Sequence, residues 1–136
     1  MTTIAYKDGV VACDSRMAEG GMILHDDYNK HKVVEGVHFF CAGSVDDIPA
    51  LIQFYLAGEE RQGRCTAIVV DEGEVLSVKL GDGFTEVTPV DYPYAIGSGT
   101  EFALAAMDMG ADAKTAVKQA MKRDCFTGGR VRTFKV

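Results

Sequence analysis

Short apolar runs, broken at close intervals by glycine and acidic pairs, fill the first third of the chain. Thr2 to Tyr6 and Gly9 to Cys13 lie on either side of Lys7-Asp8-Gly9. An Asp-Gly pair between two β-prone runs predicts a hairpin. A polar loop is expected through Glu19-Gly20-Gly21 and His25-Asp26-Asp27, followed by strands at Val33-Val34 and Val37 to Cys41 around a Glu35-Gly36 turn. The second of these strands is almost continuously apolar, which predicts burial on both faces. The spacing then changes. Val45, Ile48, Leu51, Ile52, Tyr55 and Leu56 recur at helical intervals. Ser44 and Asp47 are placed as a capping box for that helix, and Gly58 as its stop.

After the polar break GEERQGR, the period returns to that of strands. Cys65 to Asp71 and Glu74 to Leu80 flank a Glu72-Gly73 turn, Phe84 to Val87 forms a further strand, Pro89 to Pro93 is extended, and Tyr94 to Ile96 runs into Gly97-Ser98-Gly99. Two helices follow. The first takes Ser98 and Glu101 as its capping box, presents Phe102, Ala105, Ala106 and Met109 as its apolar face, and ends at Gly110. The second is capped by Asp112 and buries Ala113, Ala116, Val117, Ala120 and Met121. Thr127-Gly128-Gly129 breaks the pattern, and Arg130 to Val136 returns as a last strand. Strands in blocks with helices between them predict an α+β protein: antiparallel sheets, two of them face to face, covered by helices as a four-layer sandwich.

Composition narrows the class. The 136 residues (1–136) are expected to form one domain with a single sizeable core. A net charge of −6, with no Lys/Arg-rich run, argues against nucleic acid as a partner. Neither a signal peptide nor an apolar stretch of membrane-spanning length is expected, so a membrane partner is excluded and a cytoplasmic location expected. Cys13, Cys41, Cys65 and Cys125 form no CxxC pair, and His25, His31 and His38 offer no HxxxH. They read as free thiols of a reducing compartment rather than as metal ligands, and no cofactor is expected.

The stretches TTIAYKDGVVACDSR, FFCAGSVDD, AIGSGTEFALAAMDMGADAKTAV and KRDCFTGG, in this order, resemble the N-terminal-nucleophile hydrolases of the proteasome β type, including the HslV-like peptidases. The resemblance spans most of the chain and implies an αββα sandwich. Members usually carry two helices between the two strand blocks; here only Ser44 to Ala57 is present, so the sandwich is expected to be short by one helix. The resemblance further implies a threonine peptidase that cleaves peptides or unfolded proteins within a homo-oligomeric ring, with an ATP-dependent unfoldase as a partner. It assigns Thr2 as nucleophile, Asp14 as the acidic residue after the second strand, Gly43 as the oxyanion-hole amide and Ser98 as the serine of the GSG turn. Asp124 and Thr127 match the acid and hydroxyl of the segment after the last helix. Lys30 in NKHKVV is the better match to the active-site lysine, and Lys32 the poorer register.

The residue types suit that chemistry. A threonine hydroxyl needs a base, and an N-terminal threonine brings its own α-amine, which titrates near pH 7.7–8.0. Lysine, ordinarily charged at pH 7, fits a cation that lowers the nucleophile's pKa, with Asp14 holding it in place. All of this requires removal of Met1, which the small second residue favours. Two other readings stand beside it: a catalytically silent structural relative that retains Met1, and a small-molecule amidase of the same broader class.

Overall fold

The computed structural model describes residues 2–136. The fate of Met1, on which the sequence reading depends, lies outside them. Strands β1 (Thr3–Lys7) and β2 (Val10–Cys13) form the expected hairpin, with Asp8 and Gly9 both at positive φ in the turn. They are the centre of an antiparallel four-stranded sheet. Its edges are β10 (Tyr94–Gly97), beside β1, and β11 (Arg132–Lys135), beside β2. A second antiparallel sheet runs in chain order through β5 (His31–Val34), β6 (Val37–Gly43), β7 (Cys65–Asp71), β8 (Glu74–Gly81) and β9 (Phe84–Pro89).

The two sheets pack face to face through Ile4, Val11, Phe40, Ile68 and Ile96. Helix α1 (Ile48–Ala57) covers the five-stranded sheet, where Leu51 meets Phe39, Val69 and Val78. Helices α2 (Thr100–Asp108) and α3 (Ala113–Met121) cover the other sheet through a layer of small residues, among them Ala5, Ala12, Ala103, Ala113 and Ala116. This is the four-layer αββα sandwich, with one helix on one outer face and two on the other. Strand β6 is buried on both faces, as its apolar run requires: Phe40 and Ala42 face the opposite sheet, Phe39 and Cys41 face α1. Burying a side chain such as Phe39 contributes about 1.5–3 kcal/mol.

Several local expectations are corrected. The segment expected as a loop contains a two-stranded hairpin, β3 (Met17–Glu19) with β4 (Met22–His25). Ser44 opens only a 3-10 turn, Val45–Asp47, and its side chain makes no capping bond. The α-helix proper begins at Ile48 with Pro49 in its first turn. Asp47 instead turns its carboxylate to the Arg64 amide, at 2.9 Å. Ser98 likewise does not cap α2, whose N-cap position is Gly99. The buried face of α2 is Ala103 and Met107, while Phe102 and Met109 are exposed. By contrast, Asp112 caps α3 through the Thr115 amide at 2.7 Å, and Gly58 closes α1 in the left-handed conformation at φ 69°.

One interior contact sets a pH dependence. His31 Nε2 and His38 Nδ1 lie 2.8 Å apart, with His31 stacked on Phe40 and both rings tilted against Phe134. Burial, and secondarily His38, pushes the pKa of His31 below its ordinary value. Its folded pKa is therefore lower than its unfolded one, so the unfolded chain takes up the proton first as pH falls. Stability from this group is complete above about pH 6.5 and is lost as pH drops below it. Thermal unfolding followed from pH 7.5 to 5.5 is expected to show this fall, and H31Q to flatten it.

Candidate active site

The first turn after β2 places a carboxylate where strand order, loop and sheet edge converge. Asp14 is fully buried. Its Oδ1 accepts from the Thr2 hydroxyl, from the Thr3 amide at 3.1 Å and from Lys30 Nζ at 2.7 Å. Its Oδ2 accepts from the amides of Gly128 at 3.0 Å and Arg16 at 3.2 Å. A buried carboxylate is tolerated when its lone pairs are met by this many donors. Asp14 thereby joins the start of β1, the residue before β5 and the TGG segment after α3.

Lys30 directly precedes β5, and its side chain is 7% exposed. Burial lowers its pKa, and the adjacent Asp14 carboxylate works against that shift. The result is an ammonium paired with its counter-ion yet more acidic than one in water. Lys32, two residues on, lies over the Tyr28 ring 4.9 Å from its centroid and makes no bond to Asp14. Of the two lysines, Lys30 is the one brought to Thr2.

A second network flanks the first. Asp124, just after α3, accepts from Ser98 Oγ at 2.6 Å, Thr127 Oγ1 at 2.5 Å and the Phe126 amide at 3.2 Å. Burial acts to raise the pKa of Asp124, but these three donors outweigh it and hold it below the usual carboxylate value. Ser98 Oγ also lies 3.3 Å from the Thr2 carbonyl oxygen. Thr3 links the two networks: its amide reaches Asp14 and its hydroxyl lies 2.7 Å from Thr127 Oγ1. The sequence reading missed Thr3. Strand alternation was the available signal, because Thr3 shares the face of Ala5, which packs under α2 and α3 where Thr127 emerges.

Gly99 shows how tightly this corner is built. A Cβ there would lie 1.9 Å from Thr3 Oγ1 and 3.0 Å from the Ala120 methyl. Gly99→Ala is expected to cost about 1–3 kcal/mol in denaturant unfolding, as overpacking does, and to displace the Thr3–Thr127 bond.

Gly43 ends β6 at φ 116°, with its Cα pressed against the Arg64 carbonyl: a Cβ would approach that oxygen to 2.9 Å. It lines a cleft of about 340 Å³ together with Thr2, Lys30, Cys41 and Ser44. Hairpin β3–β4 borders the same cleft through Met17 and Leu24. Arg16, also missed from sequence, fastens this side: its guanidinium bonds Asp26 at 2.8 and 3.1 Å and the Cys125 carbonyl at 3.0 Å. All seven residues singled out from the sequence therefore lie in one region. Thr2, Asp14, Lys30, Ser98, Asp124 and Thr127 share a continuous set of hydrogen bonds, and Gly43 shares the cleft with Thr2 and Lys30. Chemically the arrangement offers a hydroxyl, a cation and a buried anion at the base of an open cleft.

Among the described residues, no group of three or more His, Cys, Asp or Glu is placed to hold a metal ion. Cys13, Cys41 and Cys65 are buried free thiols, and Cys125 is exposed. Burial raises the Cys13 thiol to about 11. No helix among the described residues is long and apolar enough to cross a membrane.

No protein-family model and no curated protein sequence matches the chain. Solved structures do. The BPH protein of Thiobacillus denitrificans in complex with epoxomicin superposes with a TM-score of 0.71 at 19% identity, covering 99% of this chain and 97% of that one. The eukaryotic HslV of Trypanosoma brucei superposes with a TM-score of 0.70 at 22% identity, covering 99% of each. At such identities the likeness is one of fold, and the fold of this chain is that of the HslV-like, proteasome-type proteins.

Proposed function

We propose that the chain is an N-terminal threonine hydrolase that cleaves peptide bonds through an acyl-enzyme, as a subunit of a homo-oligomeric ring. The observation that supports it most is the convergence of the Thr2 hydroxyl and the Lys30 ammonium on the buried Asp14, beside the cleft that Gly43 lines. With Met1 removed, the Thr2 α-amine takes the hydroxyl proton, directly or through a water. Thr2 Oγ1 then bonds to the substrate carbonyl carbon, and the Gly43 N–H meets the oxyanion, a role typically worth about 2.7–4 kcal/mol. Collapse of the tetrahedral intermediate breaks the C–N bond, and the amine's proton leaves with the leaving nitrogen. Water then hydrolyses the ester on Thr2 by the same route. Lys30 stabilises the developing alkoxide; Ser98, Asp124 and Thr127 orient the amine. Peptides or unfolded proteins are the substrates, and an ATP-dependent unfoldase is the partner such a chamber calls for.

While Met1 is attached, the Thr2 nitrogen is an amide and cannot serve as base. The bond from the Thr2 hydroxyl to Asp14 suits that resting form, and a relative that never loses Met1 would be silent. The test is the intact mass of untagged protein before and after an epoxyketone, the class to which the epoxomicin bound by the Thiobacillus protein belongs. Loss of one methionine and gain of one adduct is the expected result. Retained methionine with no adduct would sink the hydrolase reading and leave the silent relative.

A further inference from the structure

The cleft does not end at Gly43. On the far side of Gly43 and Ser44 a second hollow of about 470 Å³ is lined by Ser98, Gly97, Thr66 and Arg64. Gly97 and Ser98 belong to the side of Thr2 that faces Asp124, since the Thr2 carbonyl lies against Gly97 and 3.3 Å from Ser98 Oγ, whose proton goes to Asp124. In the reaction above, which this inference rests on, that is the side from which the leaving nitrogen receives its proton. The first cleft, with Met17, Leu24 and Ile48 around it, then takes the acyl part. The second hollow takes the leaving peptide.

Arg64 is held at the rim of that hollow by its backbone. Its amide donates to Asp47 and its carbonyl accepts from the Ser44 amide at 3.2 Å, the same carbonyl that crowds Gly43. It ends the short connector Gly58 to Arg64 that joins α1 directly to β7, with no helix between them. The Arg64 side chain is 82% exposed, and among the described residues its guanidinium is bound only to Asp82, at 2.9 and 3.1 Å, whose side chain is 64% exposed. A solvated Arg–Asp pair is weak and exchanges readily for another carboxylate.

We propose that Arg64 is a specificity residue of the leaving-group side, selecting peptides that carry a carboxylate there. The carboxylate is either an acidic side chain or the free C-terminus of the leaving fragment. The test uses matched peptides with Asp or Asn after the scissile bond, each as free acid and as C-terminal amide. Their binding is measured by fluorescence anisotropy on Thr2→Ala, which holds them uncut. Their cleavage by the processed wild type is read by mass spectrometry as a ratio within one reaction.

A preference of about three- to fivefold for the carboxylate-bearing peptide is expected in both readouts, the scale of an exposed charge pair. It should fade in high salt. Asp82→Asn, which frees the guanidinium, should enlarge it, and Arg64→Glu should reverse it. The side-chain and C-terminal arms show which carboxylate is read. Binding preference without any cleavage would sustain the site and fail the hydrolase reading. Cleavage or binding indifferent to charge, a preference unmoved by Arg64→Glu, or no binding of either peptide would overturn the assignment.

Discussion

Thr2→Ala is expected to abolish epoxyketone capture and to lower peptide hydrolysis by about 10⁴-fold or more, because it deletes the group that forms the acyl-enzyme in the proposed mechanism. The substitution leaves the α-amine, Lys30 and the Gly43 amide in place, so the loss isolates the hydroxyl. Asp14 retains the Thr3, Lys30, Arg16 and Gly128 donors in the variant, so the site's frame is preserved. The fold should survive for the same reason, and Tm measured alongside checks it. Thr2→Ser should regain the adduct, since it restores a hydroxyl, now primary rather than secondary, beside the same amine. An alanine variant that still turned over peptide at the wild-type rate would require another nucleophile. Ser98 and Thr127, whose hydroxyls already donate to Asp124, would then be the next positions to replace.

Much of the architecture was legible because burial and period coincide in this chain. Strands β6 and β7 are largely apolar and sit between two other layers, and the Asp8-Gly9 and Glu72-Gly73 turns mark the β1–β2 and β7–β8 hairpins directly. The β3–β4 hairpin was not legible, because no core selects its faces: its apolar run is only Met22-Ile23-Leu24, all exposed, and no alternation accompanies it. Ser44 and Ser98 each satisfied a capping-box pattern and cap nothing. Ser98 is drawn instead to Asp124, which is 26 residues away and invisible to a local rule. The α2 face was misread because the layer beneath it is built of alanines. Close approach there favours Ala103 and leaves the larger Phe102 outside. The site residues themselves came from a pattern distributed over five stretches, with Lys30 in NKHKVV. No one stretch could show that Thr3 would join the two carboxylates, since that contact exists only once β1 lies beside the segment after α3.

Asp14→Asn should be the most damaging substitution to the fold as well as to the site. Asparagine supplies one acceptor oxygen and one amide donor where the structure directs donors at both carboxylate oxygens. The Lys30 ammonium, 7% exposed, would lose its counter-ion, and the Gly128 or Lys30 donor would face another N–H. Removing one partner of a buried pair typically costs about 3–5 kcal/mol, more than the pair itself contributes, because the remaining charge stays buried. Denaturant unfolding of the processed protein should show a loss of that size, and epoxyketone labelling should slow sharply, since Lys30 would no longer be held beside Thr2. The double change Asp14→Asn with Lys30→Met separates these effects. It removes the orphaned cation, so part of the stability should return, while labelling should stay slow because the proposed mechanism also needs the cation at the nucleophile. Equal stability of the single and double variants would mean that Lys30 is neutral or solvated in the absence of Asp14. Recovery of labelling in the double variant would remove Lys30 from the chemistry altogether and leave the amine and the Gly43 amide as the working groups.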